Sequence, residues 1–241
     1  MTAGARPFIS WSWIDQNRGQ IGSDLAHHLE LSFVAVGIGL AIAVPLSVLA
    51  WRYAVLRAPL MTISSTLYII PSLALFVILG PVTGYFSTTT AEIALVGYTL
   101  LILCRNTLAG LEAVPGDARD AARAMGYTPT ASLLRVELPL AVPYVVAGVR
   151  IATVTVIGLV SVTALIGLGG LGQLFVAGLQ GSVDGPFYTP IIVGLVLSVV
   201  LAALADLALV GLGRVLVPWS RTPARRVRSS RPARALSASG S

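Results

Sequence analysis

Residues 112–143, EAVPGDARDAARAMGYTPTASLLRVELPLAVP, form the longest charged passage inside an otherwise apolar chain. Pro115 and Gly116 break whatever precedes them, and Asp117 then places a carboxylate at the positive end of a new helix. Ala118, Ala121, Ala122 and Met125 follow at i, i+3, i+4 and i+7, a narrow apolar stripe with Arg119, Asp120 and Arg123 off it. Gly126 suits a left-handed cap at the helix end, and Thr128-Pro129 reads as the N-cap and first turn of a second helix. Two short helices joined by a tight turn cannot bury themselves. Their small-residue stripe offers close backbone approach to another surface.

Outward from this stretch the composition is not that of a soluble domain. Of 241 residues, 56% are hydrophobic and 11% charged, where soluble domains carry about 25% charged residues. The uncharged runs 31–51, 58–91, 151–183 and 185–205 are each long enough for a spanning helix of about 20 residues. The fold expected is all-α and integral to a membrane. It has about five spans, near Leu29–Trp51, Pro59–Leu79, Ala91–Leu111, Leu140–Ile166 and Tyr188–Leu212, with the charged passage between the third and fourth. Pro45 is expected to bend the first span. Pro71 inside the second removes an amide donor and frees a carbonyl, which at membrane depth is tolerated only beside protein or a wet cavity. Pro71 and Ser72 are therefore candidates for a wet translocation pathway or a buried polar site, a kink that serves packing being the equal alternative.

All sixteen basic residues are arginine. The phosphate-binding loop GxxxxGK[ST] needs a lysine, so any ATP that drives this chain is hydrolysed elsewhere. If ATP drives the chain, it and its magnesium act on another chain, and no cofactor, metal or catalytic residue is expected on this one. Cys104, the single cysteine, reads as a core filler. No cleavable signal peptide is expected, since the first apolar run begins near Leu31 and is too long. His27 and His28 point about 100° apart on a helix and read as interfacial polar residues. Arginine is concentrated in the loop between spans one and two, in the charged passage and in the tail. The positive-inside bias then puts the passage and the C-terminus in the cytoplasm and the N-terminus outside. The expected division is an interfacial, extracytoplasmic segment 1–25, a transmembrane domain 26–216 and a disordered basic tail 217–241. The lipid bilayer is the first partner, and no nucleic acid is expected.

Gly167-Leu-Gly169-Gly170-Leu-Gly172 matches GxGxxG, but a membrane helix precedes it and the next acid is Asp184. A dinucleotide fingerprint needs a preceding strand and an acid about 20 residues on. The glycines instead read as a tight turn allowing close packing. Buried polar candidates on the spans are Arg105, Asn106, Arg150 and Asp206. Arg150 lies eleven residues past Pro139, roughly 16 Å along a helix, and Asp206 lies at similar depth from the other end of its span. Isolated charges at such depth are costly and usually pair or face water. Arg150 and Asp206 are expected to face one interior region and pair there, with Arg105 as the other possible partner of Asp206.

The pattern Asp120-Ala121-Ala122, Gly126, then Val136-Glu137-Leu138-Pro139 resembles the coupling loop of ABC importer permeases, with Asp120 where the family has Glu. Further motifs narrow the resemblance. They are Ile70-Pro71-Ser72-Leu73-Ala74-Leu75, Arg105-Asn106-Thr107 with Gly110, Ala122-Arg-Ala-Met125-Gly126, Ala147-Gly148-Val149-Arg150, the glycine turn and Leu204-Ala205-Asp206. Over residues 25–212 the chain looks like the permeases of osmoprotectant importers, which move glycine betaine, carnitine, choline or proline betaine. Leu168 stands where a small residue is expected, and Tyr127 where methionine is commoner. The resemblance implies a type I importer of two permease subunits (identical or paralogous), two ATPase subunits and an extracytoplasmic binding protein, working by alternating access. Asp117, Asp120, Ala121, Ala122, Arg123, Met125, Gly126, Leu138 and Pro139 would form the ATPase-coupling loop. The aromatic cage for a quaternary amine would belong to the binding protein. Competing readings are a permease for another small solute such as an amino acid, a secondary transporter, which would want inverted repeats, and a membrane-anchored scaffold, which would not need Arg150 and Asp206.

Overall fold

The computed structural model describes residues 8–181 and 185–217. The basic tail beyond Val217, the first seven residues and Asp184 lie outside the described residues. Within them the chain is helical. A short α1 (Trp11–Gln16) leads into α2 (Arg18–Arg52), and a 3-10 turn leads to α3 (Arg57–Ile69) and α4 (Ser72–Thr83). Then come α5 (Thr88–Glu112), α6 (Gly116–Ala124), α7 (Pro129–Ser132), α8 (Leu138–Thr163), α9 (Gly172–Gln180) and α10 (Tyr188–Leu216). A π-helical turn, Leu133–Glu137, joins α7 to α8.

Four helices (α2, α5, α10 and the segment 129–166 that contains α8) are long and apolar enough to cross a membrane. The pair α3–α4 adds a fifth crossing if its halves count as one, but it is bent by 104°. The second span is thus broken rather than kinked. The cause is local: the residue before a proline is pushed out of the helical region, and Ile70 stands at φ −61°, ψ 128°. The Ile70 carbonyl left at the break accepts a hydrogen bond from the Tyr98 hydroxyl of α5. Pro45, by contrast, leaves α2 continuous. The division expected at residue 25 falls inside α2, whose helix begins at Arg18.

The core is a packing of α2, α5 and α8. Leu31, Ala35 and Val36 meet Leu95 and Val96, and both sets meet Val156 and Val160. Deeper along the same helices Ala43, Leu103, Cys104 and Ala152 close the seam. A Cβ on Gly148 would come within 2.7 Å of Asn106 Cβ, so the α5–α8 crossing at this level depends on that glycine. Ile157 of α8, Leu171 and Leu174 of the α9 region, and Leu201 and Ala205 of α10 make a satellite core. Of the four long helices α5 is the most buried and α10 the least.

Candidate functional site

The charged passage folds as its sequence demands. Asp117 sits in the first turn of α6, and Thr128 accepts a hydrogen bond from the Ala131 amide to cap α7. Gly126 takes φ 79°. Its amide bonds the Arg123 carbonyl at 2.9 Å, and that of Tyr127 bonds the Ala122 carbonyl at 3.1 Å. This is the two-bond Schellman ending that a glycine permits. The alanine stripe is divided between two sides. Ala122 is 0% exposed, packed within the subunit, while Met125 is 66% exposed. Ala121, Asp120 and Arg123 are exposed as well, and Arg123 Nη1 lies 3.3 Å from Asp120 Oδ1. The outward face of α6 is therefore Ala121, Met125 and the Asp120–Arg123 pair, and Ala122 holds that face against the protein. Leu138 and Pro139 open α8 directly after the π turn.

Behind α6 is a cluster that sequence reading passed over. Glu137, 9% exposed, accepts hydrogen bonds from Ser132 Oγ at 3.2 Å and Trp51 Nε1 at 3.3 Å. Arg119 Nε lies 3.3 Å from Glu137 Oε2, an ion-pair distance without hydrogen-bond alignment. Arg119 Nη2 donates to the Leu111 carbonyl at 2.6 Å, and its guanidinium stands 5.0 Å over the Trp51 ring. The sequence signal was Glu137 inside an amphipathic turn. Its partners lie on three separate helices, α2, α6 and α7, so spacing could not have assembled them.

The second candidate region lies between α3 and α5. A cavity of about 600 Å³ is lined by Thr62, Ser65 and Thr66 of α3, and by Arg105 and Glu112 of α5 together with Arg57. Arg57 pairs with Glu112, joining the start of α3 to the end of α5. Arg105 thus faces this cavity. Asn106 does not line it: it bonds the Ile102 carbonyl at 2.8 Å and packs on Gly148. Pro71 and Ser72 stand at the α3–α4 break, Pro71 exposed.

Arg150 and Asp206 form the direct pair expected of them. Nε donates to Oδ1 at 2.8 Å and Nη2 to Oδ2 at 2.9 Å, the forked geometry suited to arginine and carboxylate. Arg105 is not the partner of Asp206. The pair is not interior to the subunit, however. The two side chains are 39% and 32% exposed on the α8–α10 surface, and α10 is the least buried of the four long helices. Each charge satisfies the other, so neither needs burial in protein.

The glycine turn is conformational, with Gly167, Gly169 and Gly170 at φ 75°, 82° and 77°. Gly172 packs against the Ser161 carbonyl of α8 too closely for a Cβ. The histidines differ from expectation. His27 lies 3.5 Å from Glu30, but His28 is fully buried. Its Nδ1 accepts from the Leu171 amide at 3.2 Å, which leaves Nε2–H to donate to the Ile157 carbonyl at 2.9 Å. One ring ties α2 to α8 and to the turn.

A bundle with a broken span and an outward-facing small-residue helix between two crossings suits a transporter's membrane component. Residues 34–210 match the family described as the binding-protein-dependent transport system inner membrane component, and the chain belongs to that family. It is 38% identical over 170 residues to the osmoprotectant import permease OsmW of Salmonella typhimurium, covering 69% of this chain and 79% of that one. It is 32% identical over 208 residues to the choline transport system permease OpuBB of Bacillus subtilis, covering 86% and 93%. A solved structure of the MetNI methionine ABC transporter in an inward-facing conformation matches with a TM-score of 0.71 at 26% identity, covering 84% of this chain and 98% of that one. The chain is a multi-pass membrane protein of type I importer fold.

Proposed function

We propose that this chain is the pathway-forming subunit of an ATP-driven importer for a compatible solute of the glycine betaine, carnitine or choline class. The observation that carries the coupling half of this reading is the exposed face of α6, built by a Schellman-capped turn and presented between two crossings. Ala121 and Met125 would seat in a groove on a separate ATPase subunit, where ATP and magnesium act. The solute class follows the relatives, which are named as permeases for osmoprotectants and choline. Two permease subunits would enclose the pathway. The α3–α5 cavity with Thr62, Ser65, Thr66 and Arg105 would be one half of it, since a broken helix at membrane depth needs protein or water beside it. An extracytoplasmic binding protein would deliver the solute, and the coupling helix would face the cytoplasm.

Uptake of labelled glycine betaine, carnitine, choline and methionine, measured in cells lacking their own importers and supplied with this chain, its ATPase and its binding protein, tests the reading. Accumulation of a quaternary amine, abolished when the ATPase is inactivated, is the expected result. Accumulation of methionine alone would overturn the solute class, and uptake indifferent to the ATPase would overturn the coupling.

A further inference from the structure

The Glu137 cluster sits where the coupling helix meets the bundle, and its connections are unusual in reach. Trp51 is at the end of α2, one residue before the helix closes at Arg52. Leu111 is in the last turn of α5, where backbone carbonyls have no partner within their own helix. Arg119 is in the middle of α6, Ser132 ends α7, and Glu137 is the last residue of the π turn that becomes α8. One carboxylate and one guanidinium thus join the cytoplasm-proximal ends of α2 and α5 and the start of α8 to the helix between them. Hydrophobic packing alone would let α6 slide on such a surface, whereas directional, charge-assisted bonds hold one orientation. The joint is partly shielded: the side chains of Arg119 and Glu137 are 23% and 11% exposed, beside a cavity of about 580 Å³ that Trp51 and Ser132 also line.

We propose that Glu137 is a positioning residue for transport. It locks α6, through Arg119 and Trp51, to spans one, three and four, so that displacement of the coupling helix moves those spans as one body. Glu137 itself touches neither solute nor ATPase in this scheme. The proposal rests on the coupling reading given above, and deepens it by naming the joint through which motion passes. Without the joint, α6 would still dock and the ATPase would still turn over. The spans would follow it less faithfully, and solute moved per ATP would fall.

The test uses the assembled importer in proteoliposomes, with solute-loaded binding protein and ATP. Glu137→Gln keeps the shape and removes the charge; Trp51→Phe keeps the ring under Arg119 and removes one donor to Glu137. For Glu137→Gln we expect ATPase retention on purification within about twofold of the parent, and solute moved per ATP down about tenfold. Trp51→Phe should fall less, and Glu137→Asp should recover part of the loss. An unchanged ratio of solute to ATP in Glu137→Gln would overturn the proposal. So would a loss of ATPase retention in step with uptake, which would make Glu137 a folding residue only. If the unaltered chain retains no ATPase, the coupling reading fails and takes this proposal with it; a normal parent with an indifferent Glu137→Gln refutes the proposal alone.

Discussion

His28 is a side chain whose two nitrogens bond backbone groups on other segments, the Ile157 carbonyl, which also accepts within its own helix, and the Leu171 amide. Replacing it by leucine leaves the Leu171 amide buried and without its acceptor, at about 1–3 kcal/mol, and removes the tie to α8. We predict that His28→Leu lowers the thermal unfolding midpoint of the detergent-purified protein clearly, and that His28→Gln, which can still donate and accept, lowers it less. Equal midpoints for parent and His28→Leu would show that the ring does not secure the turn. The adjacent pair in the sequence told correctly that His27 and His28 point different ways. Which of them turns inward was set by the α8 and Leu171 backbone more than a hundred residues away, and no local pattern carries that. Arg150 and Asp206 were legible because the physics there is one-dimensional: depth along a helix alone sets the cost of leaving a charge unpaired.

Among the elements, α6 shows how far a periodic stripe can be read. The i, i+3, i+4, i+7 alanines and Met125 give the helix and its ends, and Gly126 gives the cap. The stripe does not say which of its members face the protein. Ala122 does, so a large residue there disturbs the subunit itself, whereas Ala121 looks outward. We predict that Ala121→Trp lowers ATPase retention and solute uptake while leaving the amount of inserted protein unchanged. Ala122→Trp should reduce the amount of folded protein as well. Full ATPase retention by Ala121→Trp would argue against docking through this face. The α3–α4 break was half legible for a related reason. Pro71 announces an interruption, but neither the size of the 104° bend nor the donor to the freed Ile70 carbonyl, the Tyr98 hydroxyl on another helix, is written beside it. The α9 helix was missed outright: nine residues in a glycine-rich stretch are too few for a span and too apolar for a loop.

For the molecule as a whole, the arrangement around α5 separates two ends. Thr88 opens α5 after the turn that follows α4, and Arg123 is exposed on α6 beyond the other end. With Cys104, which is buried, replaced by alanine, a cysteine at Thr88 should react with an impermeant maleimide in intact cells. One at Arg123 should react only after the cells are opened. Reaction of the Arg123→Cys protein from outside would invert the proposed orientation. The proposed direction rests on the arginine distribution, an argument that needs no contacts, only loops. The central place of α5 could not be read in the same way, since it is the least apolar of the four long helices yet the most buried, and only the assembled bundle ranks them.

The Arg150–Asp206 fork also bears on how the chain is made. The two partners are 56 positions apart, and synthesis delivers them in order, at about 5–20 residues per second. For some seconds the cation of α8 therefore sits in the bilayer with its anion still in the ribosome. During that interval the unpaired guanidinium at mid-depth costs about 2.5–3.5 kcal/mol, a cost that would mark an unfinished chain to quality control in the membrane. Arrival of α10 silences the signal. A chain truncated after Gln180 should accordingly be degraded faster than one truncated at the same place with Arg150→Leu, as pulse-chase labelling would show; equal half-lives would mean that the fork plays no part in this proofreading.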